Sequence, residues 1–405
     1  MEKSDIKKEK IVIVSSSYPY GNVETFLENE IEYLSRHFDI LVIPTKKKNR
    51  GDKPRVIPNN LVYTPPIISE NYLKRILRGI FNLSPIISYV ADLRFLINRS
   101  SNVKESLKQW FIRLITNRTL ESSSIFKNCL NDSDIRCIYF YWANFPIAQV
   151  KHSKKDFFIR THGGEVEPDR NHKYIPMAKY IFINEYNIKY LPISEKSRQQ
   201  ISNINKVNLI VNRLGVYDHG LNPSNQSGII TIVSCSNLIP LKRVHLIIEA
   251  LMHLKENVSW IHFGDGVEMK VLKELSQKLP SNINTEFRGR IENKKILEFY
   301  QMKHVDLFMN VSETEGVPVS IMEALSFGIP CFATNVGGTS EIINDTVGKL
   351  VEKDFNIEIL SNFIITIRQR SESFQLRENA RLQWSRLCDA ETNYEKLALT
   401  LRNKK

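Results

Sequence analysis

The stretch from Val305 to Ile343, VDLFMNVSETEGVPVSIMEALSFGIPCFATNVGGTSEII, constrains the fold more than any other, because its prolines and glycine leave one order of elements open. The apolar run Val305 to Val311 suits a buried strand. Pro318 suits the first helical turn, where its missing N–H costs nothing, Gly328 suits the helix end, and Pro330 forbids continuation. The order is therefore strand, loop, helix, strand, as in an open parallel sheet. Such a loop lies at the carboxyl end of its strand, and the N–H groups of Gly316, Val317 and Val319 would crowd the positive end of the helix dipole, a place for a phosphate or a sugar. Glu315 and Glu323 stand eight positions apart around this loop. The first can reach a bound sugar and the second can accept from ribose hydroxyls, and neither role needs a metal. In the next loop, Gly337 and Gly338 let the backbone approach a diphosphate, and Thr339 or Ser340 would cap the helix that follows. A plain helix-capping turn explains the same residues without a ligand.

Taken together, the frame is E-G-x-P-x-x-x-x-E-A from Glu315 to Ala324, then G-x-P from Gly328, then G-G-x-x-E from Gly337 to Glu341. It resembles the retaining glycosyltransferases of family 4. The resemblance implies an α/β, GT-B architecture: two Rossmann-like domains facing each other across a cleft. The expected division is an acceptor-side domain over 1–217, a linker over 218–228, a nucleotide-sugar-binding domain over 229–380, and a helix over 381–405 returning toward the first domain. The linker is read from the polar run DHGLNPSNQSG.

Composition supports two domains, since 405 residues with 42% hydrophobic content suffice for two cores of about 200 residues each. No apolar run is long enough to span a bilayer, and the charged start MEKSDIKKEK has no signal core. A cytoplasmic protein, peripheral at the inner face of the membrane, is the expectation. The five cysteines are scattered without ligand spacing and read as reduced thiols. A net charge of +12 draws nucleic acid, anionic lipid or phosphorylated substrate alike. No nucleic-acid motif accompanies it, so no nucleic acid is expected. Lys46 to Arg55 reads as a solvated basic loop. Residues 72–118 form a basic helical region with interleaved aromatics, suited either to an anionic membrane surface or to packing on the first sheet with its charges wet.

The chain opens as βαβ: IVIVSSS, a loop around Gly21, a helix with the apolar stripe Phe26, Ile31, Leu34 and Phe38, then ILVIP. Glu24, Thr25, Phe26 and Glu30 resemble the family's E-T-F-x-x-x-E opening, which implies that this loop approaches the donor phosphates and the acceptor; a tight turn is the other reading. His162 follows the strand-like FFIRT, a position that points into the crevice of an open sheet. The resemblance implies a place beside the reacting sugar, without a general-base role. Lys242 stands where the family carries a lysine on the diphosphate, a cation that would neutralise the leaving group. The family pattern G-R-L-x-x-x-K-G here runs from Ser236 to Arg243, so Asn237 replaces the usual arginine and Arg243 the usual glycine. The resemblance implies that the loops at Gly264 and Arg290 surround the nucleoside; glycines that only turn the chain are the other reading. Asp132-Ser133-Asp134 has a metal-site form but precedes a strand, so no metal is expected.

Catalytic work thus falls to His162, Glu315 and Lys242. Donor binding falls to Glu323, the residues Gly316, Val317, Pro318 and Val319, Asn237, Arg243, Gly264, Arg290, Gly337 and Gly338, with Gly21, Glu24 and Thr25 on the first domain's loop. The implied activity is a metal-independent, retaining hexosyl transfer from a nucleoside diphosphate sugar, with no cofactor, to a glycan or lipid-linked glycan in cell-envelope polysaccharide synthesis such as capsule or lipopolysaccharide. A sugar-nucleotide epimerase of the same fold and a noncatalytic basic binding protein with a decayed donor site are the alternatives.

Overall fold

A computed structural model describes residues 8–21, 24–47, 49, 51–68, 93, 97, 102–143, 150, 153–166, 184, 185, 187–224, 228–367 and 373–403. Most of the region 72–118 before Asn102, expected as a basic amphipathic helix, lies outside them. The chain divides into two compact units, residues 1–213 with 394–405, and residues 214–393.

In the first unit, β1 (Glu9–Ser15), α1 (Phe26–His37) and β2 (Phe38–Pro44) form the expected βαβ opening, followed by β3 (Leu61–Tyr63). Phe38 does not extend the helical stripe as expected; it is the first residue of β2, because α1 passes into the strand with no intervening turn. Next come α2 (Val103–Ser122), α3 (Ser124–Asn131), β4 (Ile135–Phe140), β5 (Asp156–Thr161), α4 (Gly163–Val166), β6 (Ile188–Pro192) and α5 (Glu195–Ser202). Side chains at Asn102, Ser123 and Ser194 accept from the first-turn N–H groups and so start their helices. The six strands run parallel in the order β3-β2-β1-β4-β5-β6. Strands of this kind are covered on both faces, which explains why β1 and β4 are almost continuously apolar and buried. Arg55, expected in a solvated loop, instead donates to the Gly21 carbonyl and pairs with Glu28.

The second unit repeats the plan with β7 (Ile230–Cys235), α6 (His245–Leu251), β8 (Val258–Phe263), α7 (Met269–Ser276), β9 (Ile283–Phe287), α8 (Asn293–Met302), β10 (Leu307–Asn310), α9 (Val319–Ser326), β11 (Cys331–Thr334), α10 (Thr339–Ile342), β12 (Gly348–Val351), α11 (Ile357–Thr366) and α12 (Ser373–Leu387). Its sheet order is β12-β11-β10-β7-β8-β9, again parallel. The core forms from Ile232, Leu251, Trp260, Leu307, Phe332 and Leu360. Trp260 keeps its indole satisfied by donating to Ser234 Oγ at 2.9 Å.

The first unit ends at Arg213, not at 217, and the stretch expected as a linker packs on the second unit as far as it is described. Asn222 donates to the carbonyls of Tyr300 and Lys303 and accepts from the Val305 N–H, while Asp218 pairs with Arg381. A polar composition here serves hydrogen bonding to a neighbouring surface. α13 (Ala390–Arg402) carries the chain back, and residues from Tyr394 onward belong to the first unit.

Candidate functional site

In each sheet the chain order reverses between two adjacent strands, β1 and β4 in the first and β7 and β10 in the second. Connections leave such strands in opposite directions, so their carboxyl ends border a crevice. In the second unit both key loops start there. After β7, a single 3₁₀ turn, Pro240–Lys242, presents Lys242; after β10, Ser312 to Pro318 presents Glu315. Lys242 Nζ and Glu315 Oε1 form a direct ion pair. Oε1 also accepts from Ser312 Oγ at 2.7 Å and Asn310 Nδ2 at 3.1 Å. Burial by itself would raise the Glu315 carboxyl, but the Lys242 charge, with the Ser312 and Asn310 donors, outweighs it and holds the group below the usual carboxylate range.

Arg243 shows why the resembling pattern has glycine at this position: its φ of 47° lies in the left-handed region. The arginine is held there by its own fork, which donates from Nε to the Val311 carbonyl at 2.9 Å and from its terminal nitrogens to those of Lys353 and Ser312. Expected on the donor, Arg243 in fact spends its donors on backbone and locks the Lys242 turn to the Glu315 loop. The Glu313 N–H, donating to the Leu241 carbonyl at 2.8 Å, adds to the same lock.

Glu323 lies mid-helix in α9 and is 7% exposed; Asn293 Nδ2 donates to its Oε1 at 2.7 Å. Burial raises its carboxyl to about 7, against the opposing Asn293 bond. Burial pushes the Cys235 thiol, at the end of β7, up to about 12, with Glu323 adding to the rise and Lys242 opposing it. A carboxyl raised on folding binds its proton more tightly in the native state. Its contribution is therefore full below the ordinary value of 4.5 and is lost as pH rises through about 7. Glu323→Gln is expected to gain stability relative to wild type between pH 5 and pH 8, on the order of 3 kcal/mol, as read by urea denaturation at the two pH values. A variant whose stability runs parallel to wild type would refute this.

Pro318 occupies the cap position with extended backbone, and the helix proper starts at Val319. Among the described residues no carbonyl accepts from the Gly316 or Val317 N–H, so both remain available at the helix start. The glycine pair behaves differently from expectation. Gly338 N–H donates to the Gly316 carbonyl and is not open to a diphosphate, and Gly337, at φ 55°, packs so tightly on Glu315 that no side chain fits. Neither Thr339 nor Ser340 caps α10; Gly338 holds the cap position without a side-chain bond. Asn237 and Arg290 are exposed, and Gly264 bridges Gly289 across the neighbouring loop, its N–H donating at 2.9 Å.

The first unit's reversal point is organised by Glu24. Its carboxylate accepts from the N–H groups of Ser16 at 3.0 Å, Ser17 at 2.6 Å and Tyr18 at 2.8 Å, and from Trp142 Nε1. Expected as a ligand contact, Glu24 instead points inward and ties the loop after β1 to the loop after β4. Thr25 is exposed at the start of α1, and Gly21 turns the loop at φ 66°. His162 directly follows β5, with its ring 4.4 Å from that of Trp142 and 5.1 Å from that of Tyr141. Neither of its ring nitrogens has a hydrogen-bond partner among the described residues; the nearest charge, Glu165 Oε2, stands 3.6 Å from Nδ1 and accepts from the His162 backbone N–H at 2.9 Å. Sequence reasoning missed Trp142 and Glu165 here, and Asn310, Ser312 and Asn293 in the second unit. The adjacency of Glu165 to the T-H-G-G run was the single local signal. Asp132 Oδ1 accepts from the Asp134 N–H in a turn after α3, which accounts for the D-x-D form.

A family model described as glycosyl transferases group 1 matches residues 223–383. The N-acetyl-alpha-D-glucosaminyl L-malate synthase of Bacillus anthracis is 30% identical over 114 residues, 28% of this chain and 29% of that protein. Lipopolysaccharide 1,6-galactosyltransferase of Escherichia coli K12 is 25% identical over 177 residues, 42% of this chain and 48% of that protein. These matches span less than half of either relative's length. The crystal structure of Anabaena Alr3699/HepE in complex with UDP superposes with a TM-score of 0.65 at 16% identity, covering 97% of this chain and 99% of that one.

Proposed function

Residues 223–383 carry a glycosyl transferases group 1 domain within a GT-B fold, and from that premise we propose that the chain is a retaining, metal-independent glycosyltransferase of hexosyl type using a nucleoside diphosphate sugar. The acceptor in this reading is a glycan or lipid-linked glycan of the cell envelope, in line with the lipopolysaccharide named for the Escherichia coli relative. One observation carries the reading: a lysine and a carboxylate from separate loops meet at the strand ends where the second sheet reverses, with a second buried carboxylate on the helix that follows the second loop. Lys242 supplies the charge that a departing diphosphate needs, together with the Gly316 and Val317 N–H groups at the start of α9. Glu315 accepts from the sugar's hydroxyls and Glu323 from the ribose. In the transfer, the bond from the anomeric carbon to the diphosphate oxygen breaks, a bond to the acceptor oxygen forms on the same face, and the acceptor's proton passes to the leaving phosphate. His162 is assigned to positioning the transferring sugar; both its ring nitrogens are buried and lack a hydrogen-bond partner among the described residues.

We assign peripheral contact with an anionic membrane to the first unit. Supporting this, α2 exposes Val103, Leu107 and Phe111 at one-turn intervals beside Lys104 and Lys108. No helix among the described residues is long and apolar enough to cross a membrane.

Calorimetric titration of UDP and of GDP in chelator tests the donor site. One nucleotide is expected to bind, to bind more tightly as pH rises through about 7, and to release a proton below that value as Glu323 ionises to accept from ribose. Loss of binding in Glu323→Ala is expected as well. If neither nucleotide bound, the decayed-site alternative would replace this reading.

A further inference from the structure

The ion pair at the heart of the site raises a question of ownership. Lys242 and Glu315 are held against each other by their loops, yet the proposed reaction asks Lys242 to serve a diphosphate and Glu315 to serve a sugar. We infer that Glu315 competes with the donor's diphosphate for the Lys242 ammonium, so that nucleotide binding takes the lysine from Oε1 and thereby frees Glu315 for the sugar.

Three observations favour an exchangeable pair over a fixed one. All the donors on this carboxylate, Lys242 Nζ, Ser312 Oγ and Asn310 Nδ2, converge on Oε1. When the lysine leaves, two hydrogen bonds remain, so the buried carboxylate is not orphaned. The turn that carries Lys242 does not depend on the ion pair either, since Arg243 and the Glu313 N–H fasten it to the 311–313 backbone. Finally, the Lys242 side chain is 17% exposed against 9% for Glu315, so it is the lysine that has room to turn. One exchange would then couple recognition of the diphosphate to recognition of the sugar, and a nucleoside without phosphates would leave the pair intact.

This inference rests on the donor-site reading, and a double-mutant cycle separates the two. UDP and GDP, each against its nucleoside, are titrated into full-length wild type, Glu315→Gln, Lys242→Met and the double variant. Removing the competitor is expected to tighten diphosphate binding about fivefold while nucleoside binding stays unchanged. In the Lys242→Met background the gain should vanish. Glu315→Ala, which removes the charge without introducing an amide, should show the same gain, and unchanged nucleoside affinity reports that the domain is folded. Wild-type binding without a gain in either Glu315 variant would overturn the exchange and leave the donor site standing. A gain that persists without Lys242 would mean simple charge repulsion and would overturn it too. Absence of nucleotide binding in every protein would remove the donor reading and this inference with it.

Discussion

Replacing Lys242 with alanine is expected to slow sugar transfer by about two to three orders of magnitude, the cost of removing one preorganised charge from a developing anion. The effect should fall mainly on turnover, because the diphosphate's charge grows as its bond to the sugar breaks. Stability should fall as well, because Glu315 stays buried without the charge that offsets its burial, though less than for a carboxylate left with no donor at all. Glu315 loses one of three donors on Oε1 but keeps Ser312 and Asn310, and Arg243 still anchors the turn. Single-turnover consumption of radiolabelled donor, compared with thermal melting, checks both halves. A variant that melts like wild type and transfers at the wild-type rate would exclude Lys242 from the chemistry.

Gly337→Ala should be among the most damaging single-methyl changes in the site. Its Cβ would stand 1.9 Å from the Glu315 carbonyl oxygen and 2.6 Å from that of Gly316, both backbone atoms, and its φ of 55° already disfavours a side chain. The two loops must separate, which carries Glu315 away from Lys242 and breaks the Gly338 to Gly316 hydrogen bond. A loss on the order of 3 kcal/mol in stability is expected, with at least about a hundredfold loss in donor affinity. Gly51→Ala is the control, since a Cβ there meets nothing within 4 Å. Denaturant melts and UDP or GDP titration of both variants measure the contrast; equal behaviour would show that the loops are not coupled through Gly337.

Legibility varies with the range of the interaction. The strand, loop and helix around Glu315 can be read because Pro318, Gly328 and Pro330 act on their own backbone and immediate neighbours. For the same reason the position of His162 at the end of β5, directly after Thr161, is legible. The role of Glu24 is not, because its four donors belong to Ser16, Ser17, Tyr18 and the distant Trp142, and only folding brings these together. Arg243 misleads likewise. A cation beside an expected phosphate site suggests a ligand, but the carbonyls of Val311, Ser312 and Lys353 reach it first. Between 218 and 224 polar composition points to a free linker, whereas Asn222 and Asp218 use that polarity to bind α8 and α12.

By itself the sequence determined the order of elements, the pair of parallel α/β sheets, and the loops and helix on which Lys242, Glu315, Glu323 and His162 lie. Dihedral preference and apolar period act over a few residues, so a linear string carries them in full. Only the tertiary structure decided which of these groups are already engaged: that Lys242 is paired with Glu315, that the Gly338 N–H is taken while those of Gly316 and Val317 meet no carbonyl among the described residues, and that burial lifts Glu323 to about 7. A hydrogen bond or an ion pair depends on which atoms come within about 3 Å, and desolvation on how much chain closes over a group. Both are set by residues far apart in sequence, and so they appear only once the chain has folded.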